Sequence, residues 1–506
     1  MSSLLIEKLR ERAINTPDKI AIKDESGVIT YTELWNRANI IASKFLRYRH
    51  KPIAVLCDRS MKSLITFWAI ILSDNFYVPL NGKEIPQERY DTIISECEAV
   101  AVIKVESKLH INIESDAGIE VYDYENIGKV CSKKADEINT DIIIDTDPLY
   151  LVYTSGSTGT PKGVIKDHKS MISFIRSFAK EFAFGSDDVF GNQANFDYDV
   201  AAKDIFLSVF TGATLFIIPR KYFMVPASLV SLLKEKKITT LIWTVAAMRH
   251  LASSGVLENS NLDGINRIFF SGEELEMNSV RRWQRAAKNA ELVNLYAPSE
   301  VTGNCLFYRI RKDDTHDRLP LGVPFGNIDV FALNEDMKPI KEGESGELYV
   351  RGSFLARGYY NNIAETEKRF IQNPLCAAYP DTVYRTGDTV ALKNGELYFA
   401  GRIDNQIKFM GHRIELEEIE STIKNLFDGP VGCCVIFDKK RNILVAVMTR
   451  EVDDGDMYKR LSQILPKYMI PSKYYFVDVL PENNRGKIDR ALVNKLYMGK
   501  VKEKNE

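Results

Sequence analysis

Regular alternation between short apolar runs and amphipathic segments is the feature that most constrains how this chain folds. Strand-like runs at residues 53–56, 149–153 and 267–270 alternate with helical segments such as 60–72 and 170–182. Such alternation is typical of parallel strands that are joined by crossover helices. We therefore predict a large α/β unit in which helices cover parallel sheets.

The pattern changes in the last third of the chain. From residue 346 to about residue 402, glycines alternate with β-forming residues, which favours a small β-barrel or a distorted sheet. Beyond it, one helical segment, two strand-like runs and another helix form a compact α+β unit. We predict a domain boundary after residue 403, which gives domains 1–403 and 404–506.

Composition excludes several function classes. The 506 residues are 45% hydrophobic and 27% charged with a net charge of −2, so neither nucleic acid binding nor disorder is favoured. No apolar run reaches the roughly 18 residues of a membrane span, and the amino terminus is not a signal peptide. The seven cysteines are scattered without metal-ligand spacing, which favours a reduced, cytoplasmic protein.

A Thr/Ser/Gly loop follows the strand-like run at 149–153. Glycines let the backbone approach a ligand closely, and successive N–H groups with hydroxyls form a concave site for an anion. Lys162, after Pro161, adds a positive charge, so we predict a phosphate-binding loop. It is not a Walker loop, because no Ser or Thr follows the lysine. The loop residues predicted to bind ATP phosphates are Thr154, Ser155, Gly156, Ser157, Thr158, Gly159 and Lys162.

Residues 153–163 meet every position of the pattern Tyr-Thr-Ser-Gly-Ser-Thr-Gly-x-Pro-Lys-Gly. This stretch closely resembles the signature of the adenylate-forming superfamily, which contains acyl- and aryl-CoA synthetases, luciferases and the adenylation domains of nonribosomal peptide synthesis. The resemblance covers essentially the whole chain. In length and motif order the chain is most similar to stand-alone amino-acid adenylation enzymes and D-alanine–carrier protein ligases, so we expect a free-standing enzyme.

Three further motifs of the superfamily recur in order. Residues 294–302 resemble Tyr-Gly-Pro-Thr-Glu-x-Thr, with Ala297 replacing Gly and Ser299 replacing Thr. Residues 384–388 and 401–408 match two more. The resemblance implies that Tyr296 stacks on adenine, Ser299 binds phosphate, Glu300 holds Mg²⁺, Asp388 accepts from the ribose hydroxyls and Arg402 reaches ribose or phosphate. Asn294 and Ala297 complete the nucleotide-binding set that the motifs imply.

The carboxyl-terminal unit resembles the mobile domain of the superfamily. Residues 484–490 are similar to Asn-Gly-Lys-x-Asp-Arg, which makes Lys487 the expected catalytic lysine beside Glu300 and Lys162. Asp404 falls where the family hinges. The resemblance implies that the domain rotates about Asp404 and removes Lys487 from the site between two half-reactions.

Asp197 points to the kind of acid that is activated. In the amino-acid branch, the Asp of the Phe-Asp pair contacts the substrate ammonium, whereas fatty-acid and aryl-acid branches generally lack it. A bound cation offsets the desolvation of a buried carboxylate. The substrate positions carried over from the family are Asp197, Tyr198, Ala201, Trp243, Phe269, Ser271, Leu295, Gly303 and Asn304. The bulk of Tyr198, Trp243 and Phe269 favours a small amino acid, although Ala201 and Gly303 leave room for a larger one.

The sequence therefore predicts an ATP- and Mg²⁺-dependent ligase. It would convert an amino acid to an aminoacyl adenylate and load it onto the phosphopantetheine thiol of a carrier protein. Two alternatives stay open at this point: a carboxylic acid–CoA ligase of the same superfamily, and a non-catalytic nucleotide-binding protein. Neither nucleic acid binding nor membrane insertion is expected.

Overall fold

The fold is taken from a computed structural model of the whole chain. It describes residues 4–106, 108–109, 111–113, 118–130, 138–156, 160–482 and 488–503. Within these residues, no helix is both long enough and apolar enough to span a bilayer. The six cysteines of this part are all free thiols.

Fifteen α-helices are found in the described part of the chain. Their bounds are α1 Leu5–Asn15, α2 Tyr31–Ala42, α3 Met61–Leu72, α4 Gln87–Cys97, α5 Tyr124–Val130, α6 His168–Glu181, α7 Asp199–Thr211, α8 Arg220–Phe223, α9 Pro226–Glu235, α10 Val245–Ser253, α11 Met277–Ala286, α12 Ile363–Arg369, α13 Leu416–Asn425, α14 Asp454–Leu461 and α15 Arg490–Glu503.

Twenty-six strands are found in the same residues. Those before residue 300 are β1 Ile20–Asp24, β2 Gly27–Thr30, β3 Pro52–Cys57, β4 Phe76–Asn81, β5 Ala101–Lys104, β6 Glu120–Asp123, β7 Pro148–Thr154, β8 Lys162–Asp167, β9 Val189–Asn192, β10 Thr214–Ile217, β11 Thr240–Thr244, β12 Arg267–Ser271 and β13 Glu291–Tyr296. Those after it are β14 Leu306–Ile310, β15 Val323–Pro324, β16 Ile328–Leu333, β17 Ser345–Gly352, β18 Gly358–Tyr359, β19 Phe370–Gln372, β20 Thr382–Lys393, β21 Glu396–Arg402, β22 Gln406–Phe409, β23 His412–Glu415, β24 Cys433–Asp438, β25 Ile443–Met448 and β26 Lys473–Phe476.

Two large sheets confirm the predicted α/β architecture. One has the order β15-β14-β13-β12-β11-β9-β10-β1-β2, and its six central strands run parallel. The other has the order β18-β8-β7-β4-β3-β5-β6. The five strands from β7 to β6 run parallel, and β8 is antiparallel to both of its neighbours, β7 and β18. A connected core fills the space between the two sheets, with α3, α6 and α7 inside it.

An antiparallel five-stranded sheet of β16, β17, β19, β20 and β21 follows, where the sequence predicts a small barrel or a distorted sheet. The last part of the chain contains the hairpin β22–β23 and the three-stranded sheet β24–β26. Its two apolar clusters use only residues beyond 406. The boundary after residue 403 stays a prediction.

The two ends of α2 are set by local hydrogen bonds. The N-cap is Thr30, and the helix ends at Ala42. The Thr30 hydroxyl accepts from the Glu33 N–H at 3.2 Å, and Glu33 accepts from the Thr30 N–H at 2.8 Å. This reciprocal capping box fixes the start. At the other end, the Ser43 hydroxyl donates to the Ile40 carbonyl at 2.8 Å and competes with the helix backbone.

Candidate active site

The predicted phosphate loop joins the antiparallel strands β7 and β8, with Thr154 paired to Lys162 across the ladder. Ser157, Thr158 and Gly159 lie outside the described residues. A Cβ at Gly156 would lie 1.9 Å from the Thr160 carbonyl oxygen, so this position requires glycine. The Gly156 N–H donates to the Glu418 carboxylate at 2.9 Å. An anion therefore does bind the loop backbone, and here the chain itself supplies it.

Ser155 and Lys162 are also engaged. The Ser155 hydroxyl donates to the Arg413 carbonyl at 2.8 Å and accepts from the Glu415 N–H at 3.1 Å. Lys162 forms an ion pair with Glu365 of α12 at 2.8 Å. The loop is thus covered by the segment that follows β22, which comes from the carboxyl-terminal part of the chain.

The predicted nucleotide-binding residues gather around the end of β13. The Tyr296 hydroxyl donates to Asp388, whose other oxygen accepts from Arg402. Arg402 also forms a two-point ion pair with Asp404 at 2.6 and 2.8 Å. The Lys408 ammonium lies 5.6 Å from the centroid of the Tyr296 ring. The aromatic and ribose-binding side chains that the motifs imply are therefore neighbours, although 92 positions separate Tyr296 from Asp388.

Three other residues of the predicted nucleotide-binding set lie near the end of β13, but only two of them line the cavity. Ala297 and Ser299 line the same cavity as Asp388 and Arg402. Asn294 instead donates to the Pro320 carbonyl at 3.0 Å, and it is absent from the described residues that line the cavity. Its predicted nucleotide contact has no support from this arrangement.

Glu300 is fully buried and already holds a cation. Its two oxygens accept from the Arg413 guanidinium at 2.8 and 2.7 Å, and the Tyr359 hydroxyl donates at 2.5 Å. Burial raises the pKa of this carboxyl, but Arg413 and Tyr359 outweigh it and lower that pKa to about 2. Glu300 is therefore ionised at neutral pH, as a ligand of Mg²⁺ must be.

The donor set suits a magnesium ion only in part. Mg²⁺ prefers oxygen ligands and usually keeps waters and phosphate oxygens around one or two carboxylates, so a single buried carboxylate fits. In this arrangement Arg413 takes the position on Glu300 that a cation would take. The one group of His, Cys and acidic side chains with metal-ligand proximity in the described residues is His50, Asp74 and Asp147, which does not include Glu300.

Five of the nine predicted substrate residues line a cavity of about 210 Å³ beside the nucleotide-binding residues. They are Asp197, Tyr198, Ser271, Gly303 and Asn304. The Asp197 side chain is half-buried, but its Oδ1 is shielded from solvent and has no hydrogen-bond partner among the described residues. Burial raises the pKa of Asp197 to about 7, with Glu84 contributing in the same direction. An unpaired carboxylate in such a place is a binding site for a cation.

The other four residues, Ala201, Trp243, Phe269 and Leu295, do not appear among the described residues that line the cavity. Successive residues of a strand face opposite sides, so Ile242 and Thr244 face the side opposite Trp243. The Trp243 indole packs edge-on against Phe223 and Trp283 and donates to the Gly191 carbonyl at 2.7 Å.

Phe269, Ala201 and Leu295 belong to the core between the sheets. The Phe269 ring packs on Phe178 and Phe182, with ring centroids 5.0 and 4.7 Å apart. The bulk of Trp243 and Phe269 therefore gives no reason to expect a small amino acid as the substrate. Of the three aromatic side chains on which it rested, Tyr198 alone lines the cavity.

The hairpin β22–β23 supplies residues that the sequence predictions missed. His412 and Arg413 enter the cavity together with Tyr468. The His412 ring contacts the Tyr198 hydroxyl and stacks on Tyr468 with ring centroids 3.4 Å apart. Burial, with Arg89 nearby, lowers the pKa of His412 to about 3, so the imidazole is neutral. The available signal was Gly411, which forms a tight turn at φ +82° directly before these polar residues.

Asp199 is the first residue of α7, after Tyr198 at the cap position. Its carboxylate accepts from the Tyr150 hydroxyl at 2.5 Å and lies 3.6 Å from Lys166. Lys487 lies outside the described residues, so its catalytic role stays a prediction.

Comparison with known proteins gives a consistent result. The sequence profile described as "AMP-binding enzyme" matches residues 9–360. Bacitracin synthase 1 of Bacillus licheniformis is 32% identical over 96% of this chain, which spans only 9% of that much longer protein. Zwittermicin A synthase ZmaJ of Bacillus cereus is 28% identical, and the match covers 97% of this chain and 95% of ZmaJ.

A solved structure shows the same fold. Holo-PA1221, an NRPS protein containing adenylation and PCP domains bound to a vinylsulfonamide inhibitor, has a TM-score of 0.81 and 23% identity. The superposition covers 97% of this chain and 84% of that chain. The two-sheet architecture and the small carboxyl-terminal part are thus those of adenylation domains.

Proposed function

Because the chain belongs to the AMP-binding enzyme family, we propose that it uses ATP to adenylate an amino acid and then loads it onto a carrier-protein thiol. The observation that carries the amino-acid assignment is Asp197, whose carboxylate lines the cavity and has a buried, unpartnered oxygen. A substrate ammonium would ion-pair with it and offset its desolvation. A fatty or aryl acid offers no such cation.

In the first half-reaction, a substrate carboxylate oxygen attacks the α-phosphorus of ATP, and the bond to the pyrophosphate oxygen breaks. Such a reaction is accelerated mainly by positioning and by stabilising charge on phosphate oxygens. Tyr296 and Asp388 would position the adenosine, while the loop and Lys162 would hold the departing pyrophosphate. Glu300 would hold Mg²⁺, which neutralises phosphate charge when bound.

In the second half-reaction, a thiol attacks the acyl carbon and AMP leaves. One structural neighbour supports a carrier-bound thiol as the acceptor. PA1221 contains an adenylation domain and a PCP domain in one protein. We propose a phosphopantetheinylated carrier as the partner of this chain as well.

Amino-acid-dependent exchange of pyrophosphate into ATP tests the proposal. A panel of D- and L-amino acids is compared with fatty and aryl acids in the presence of Mg²⁺. We expect exchange with at least one amino acid and none with acids that lack an ammonium group.

Exchange with a fatty or aryl acid alone would instead favour an acid–CoA ligase. No exchange with any carboxylate would favour a non-catalytic nucleotide-binding protein. The transfer step is tested separately by mass spectrometry of a phosphopantetheinylated carrier that is incubated with the enzyme, ATP and the active amino acid.

A further inference from the structure

A buried lysine that no motif includes lies in the cavity that contains Asp197. Lys203, on α7, is fully buried and lines the cavity together with Ser271 and Asn304. Neither the motifs nor the predicted substrate positions include it. Most residues from Val200 to Phe210 are apolar, with Asp204 directly after Lys203, and burying an ammonium among apolar side chains is unfavourable.

The Lys203 ammonium is only partly satisfied by the protein. It donates to the Asn304 side-chain oxygen at 2.9 Å, which uses one of its three donors. No carboxylate of the described residues lies within ion-pair distance of it. Burial lowers the pKa of Lys203 to about 8, and the attraction of Asp199 and Asp204 offsets that effect only in part.

The two carboxylates that attract Lys203 do not form an ion pair with it. Asp199 accepts from the Tyr150 hydroxyl, and its other oxygen faces Lys166. One oxygen of Asp204 accepts from the Asn192 amide at 2.9 Å, its Oδ1 has no partner among the described residues, and burial raises the pKa of Asp204 to about 7. Neither therefore neutralises Lys203 fully.

Asn304 is held in place by the backbone beside it. Gly303 has φ +75°, and a Cβ there would lie 2.3 Å from the Phe174 ring. The side-chain amide of Asn304 offers two donors, and the described residues accept none of them. Lys203 and Asn304 thus present several unused hydrogen-bond donors to one part of the cavity.

We propose that the amino acid activated by this chain carries a second carboxylate, which binds the Lys203 ammonium and the Asn304 amide while its α-ammonium binds Asp197. The inference rests on the proposed function and names the substrate class of the same site. It follows from charge complementarity in the part of the cavity away from the predicted nucleotide-binding residues. There the unpartnered Asp197 oxygen and the Lys203 ammonium both lack a counter-charge, whereas the other lysine that lines the cavity without a carboxylate partner, Lys408, lies over the Tyr296 ring. A substrate of the aspartate or glutamate type pairs both, whereas alanine or serine leaves Lys203 without an anion.

Pyrophosphate exchange with paired substrates provides the test. The kcat/KM for aspartate and glutamate is compared with that for asparagine and glutamine, in both chiral forms, at pH 7. We expect an acidic member to exceed its carboxamide analogue by about 100-fold, as for a buried charge-assisted contact. Lys203→Met, which keeps the length and the apolar stem, should remove most of that ratio.

Two variants serve as controls. Lys234→Met replaces an exposed lysine on α9 and should leave the ratio unchanged. If Lys203→Met fails to fold, as judged by thermal unfolding, Asn304→Asp replaces it in the test. That variant places an internal carboxylate beside Lys203 at nearly constant volume, and it should abolish the preference for acidic substrates.

Each remaining outcome overturns the inference. A wild-type enzyme that prefers alanine, serine or a carboxamide contradicts the side-chain assignment and leaves the proposed function intact. If the Lys203→Met substitution lowers kcat/KM equally for all amino acids, then Lys203 has a structural role or contacts the reacting carboxylate of the substrate. Exchange with no amino acid at all contradicts the proposed function itself, and this result is distinguishable from the other two.

Discussion

At the scale of single residues, Asp197 shows how burial sets a pH dependence. The pKa of about 7 means that the free carboxyl is half protonated near neutral pH, mainly because of desolvation. Only the ionised form can pair with an ammonium. We therefore expect kcat/KM for amino-acid-dependent exchange to fall as pH decreases through about 7 and to reach a plateau above it.

A pH profile of exchange from pH 5.5 to 9 measures this effect. Asp197→Asn should lower kcat/KM by roughly 100-fold or more, because a neutral amide does not pair with an ammonium in a desolvated site. The same variant should unfold at a higher temperature than wild type at pH 8, where the ionised buried carboxylate destabilises the native enzyme. A profile that is flat down to pH 5.5 would contradict the role of Asp197.

The positions of site residues could be predicted from the sequence where a motif fixes them. They could not be predicted where they depend on which face of a strand a side chain lies on. The motif residues Asp197 and Asp388 line one cavity, and Tyr296 contacts Asp388, while their roles stay predictions. Trp243 does not, since a shift of one residue within β11 moves a side chain to the opposite sheet face. Lys203 was missed because an isolated lysine in an apolar helix carries no sequence signal for its surroundings.

At the scale of elements, the hairpin β22–β23 completes the site in this arrangement. Arg413 binds Glu300 across 113 positions of sequence. We expect Arg413→Met to slow carrier loading by roughly 10- to 100-fold, since a buried Glu300 is then left without a counter-charge. Amino-acid-dependent exchange should change much less, because Mg²⁺ would take the place of Arg413 during that step.

Single-turnover transfer from preformed aminoacyl adenylate to a carrier, measured alongside exchange, distinguishes these two steps. Lys439→Met, at an exposed position on the turn after β24, is the matched control and should alter neither rate. Equal loss of both activities in Arg413→Met would contradict a role that is confined to the second step.

The capping box of α2 provides a test of local structure. Thr30→Ala removes the oxygen that accepts from Glu33, so we expect a loss of about 1 kcal/mol in the free energy of unfolding. Thr30→Ser retains that oxygen and should lose only a fraction of it. Chemical denaturation of the three proteins measures the difference, and an unchanged Thr30→Ala protein would show that the cap is unimportant.

The periodic pattern predicted the alternating elements well, but not every helix end. The start of α2 after Thr30 depends on the two hydrogen bonds of its capping box, which periodicity does not report. The sheet order is also beyond the sequence pattern, because it requires knowing which distant strands become neighbours.

At the scale of the whole molecule, the proposed division of labour places Lys487 and Arg413 in different steps. Lys487→Ala should reduce exchange by roughly 100-fold or more, as for loss of a transition-state charge contact. Transfer from supplied adenylate to the carrier should continue. Lys495→Ala, an exposed lysine on α15, is the matched control. Equal loss of exchange and transfer in Lys487→Ala would contradict the alternation between two domain positions.

The contact between Glu418 and the Gly156 N–H has a consequence for the order in which products leave. A carboxylate of the chain and a pyrophosphate anion cannot share the same loop backbone, and Arg413 and Mg²⁺ cannot share Glu300. With pyrophosphate and Mg²⁺ bound as proposed, docking of the hairpin and α13 as seen here would therefore require both to have departed. We expect added magnesium pyrophosphate to slow carrier loading from preformed adenylate, even after the adenylate that is converted back to ATP has been subtracted. Glu418→Gln should weaken docking and make loading slower than in the wild-type enzyme at the same pyrophosphate concentration. Quenched-flow measurement of loading at increasing pyrophosphate tests this. The expected result would mean that pyrophosphate and its metal must leave before loading, because Glu418 and Arg413 then occupy their positions.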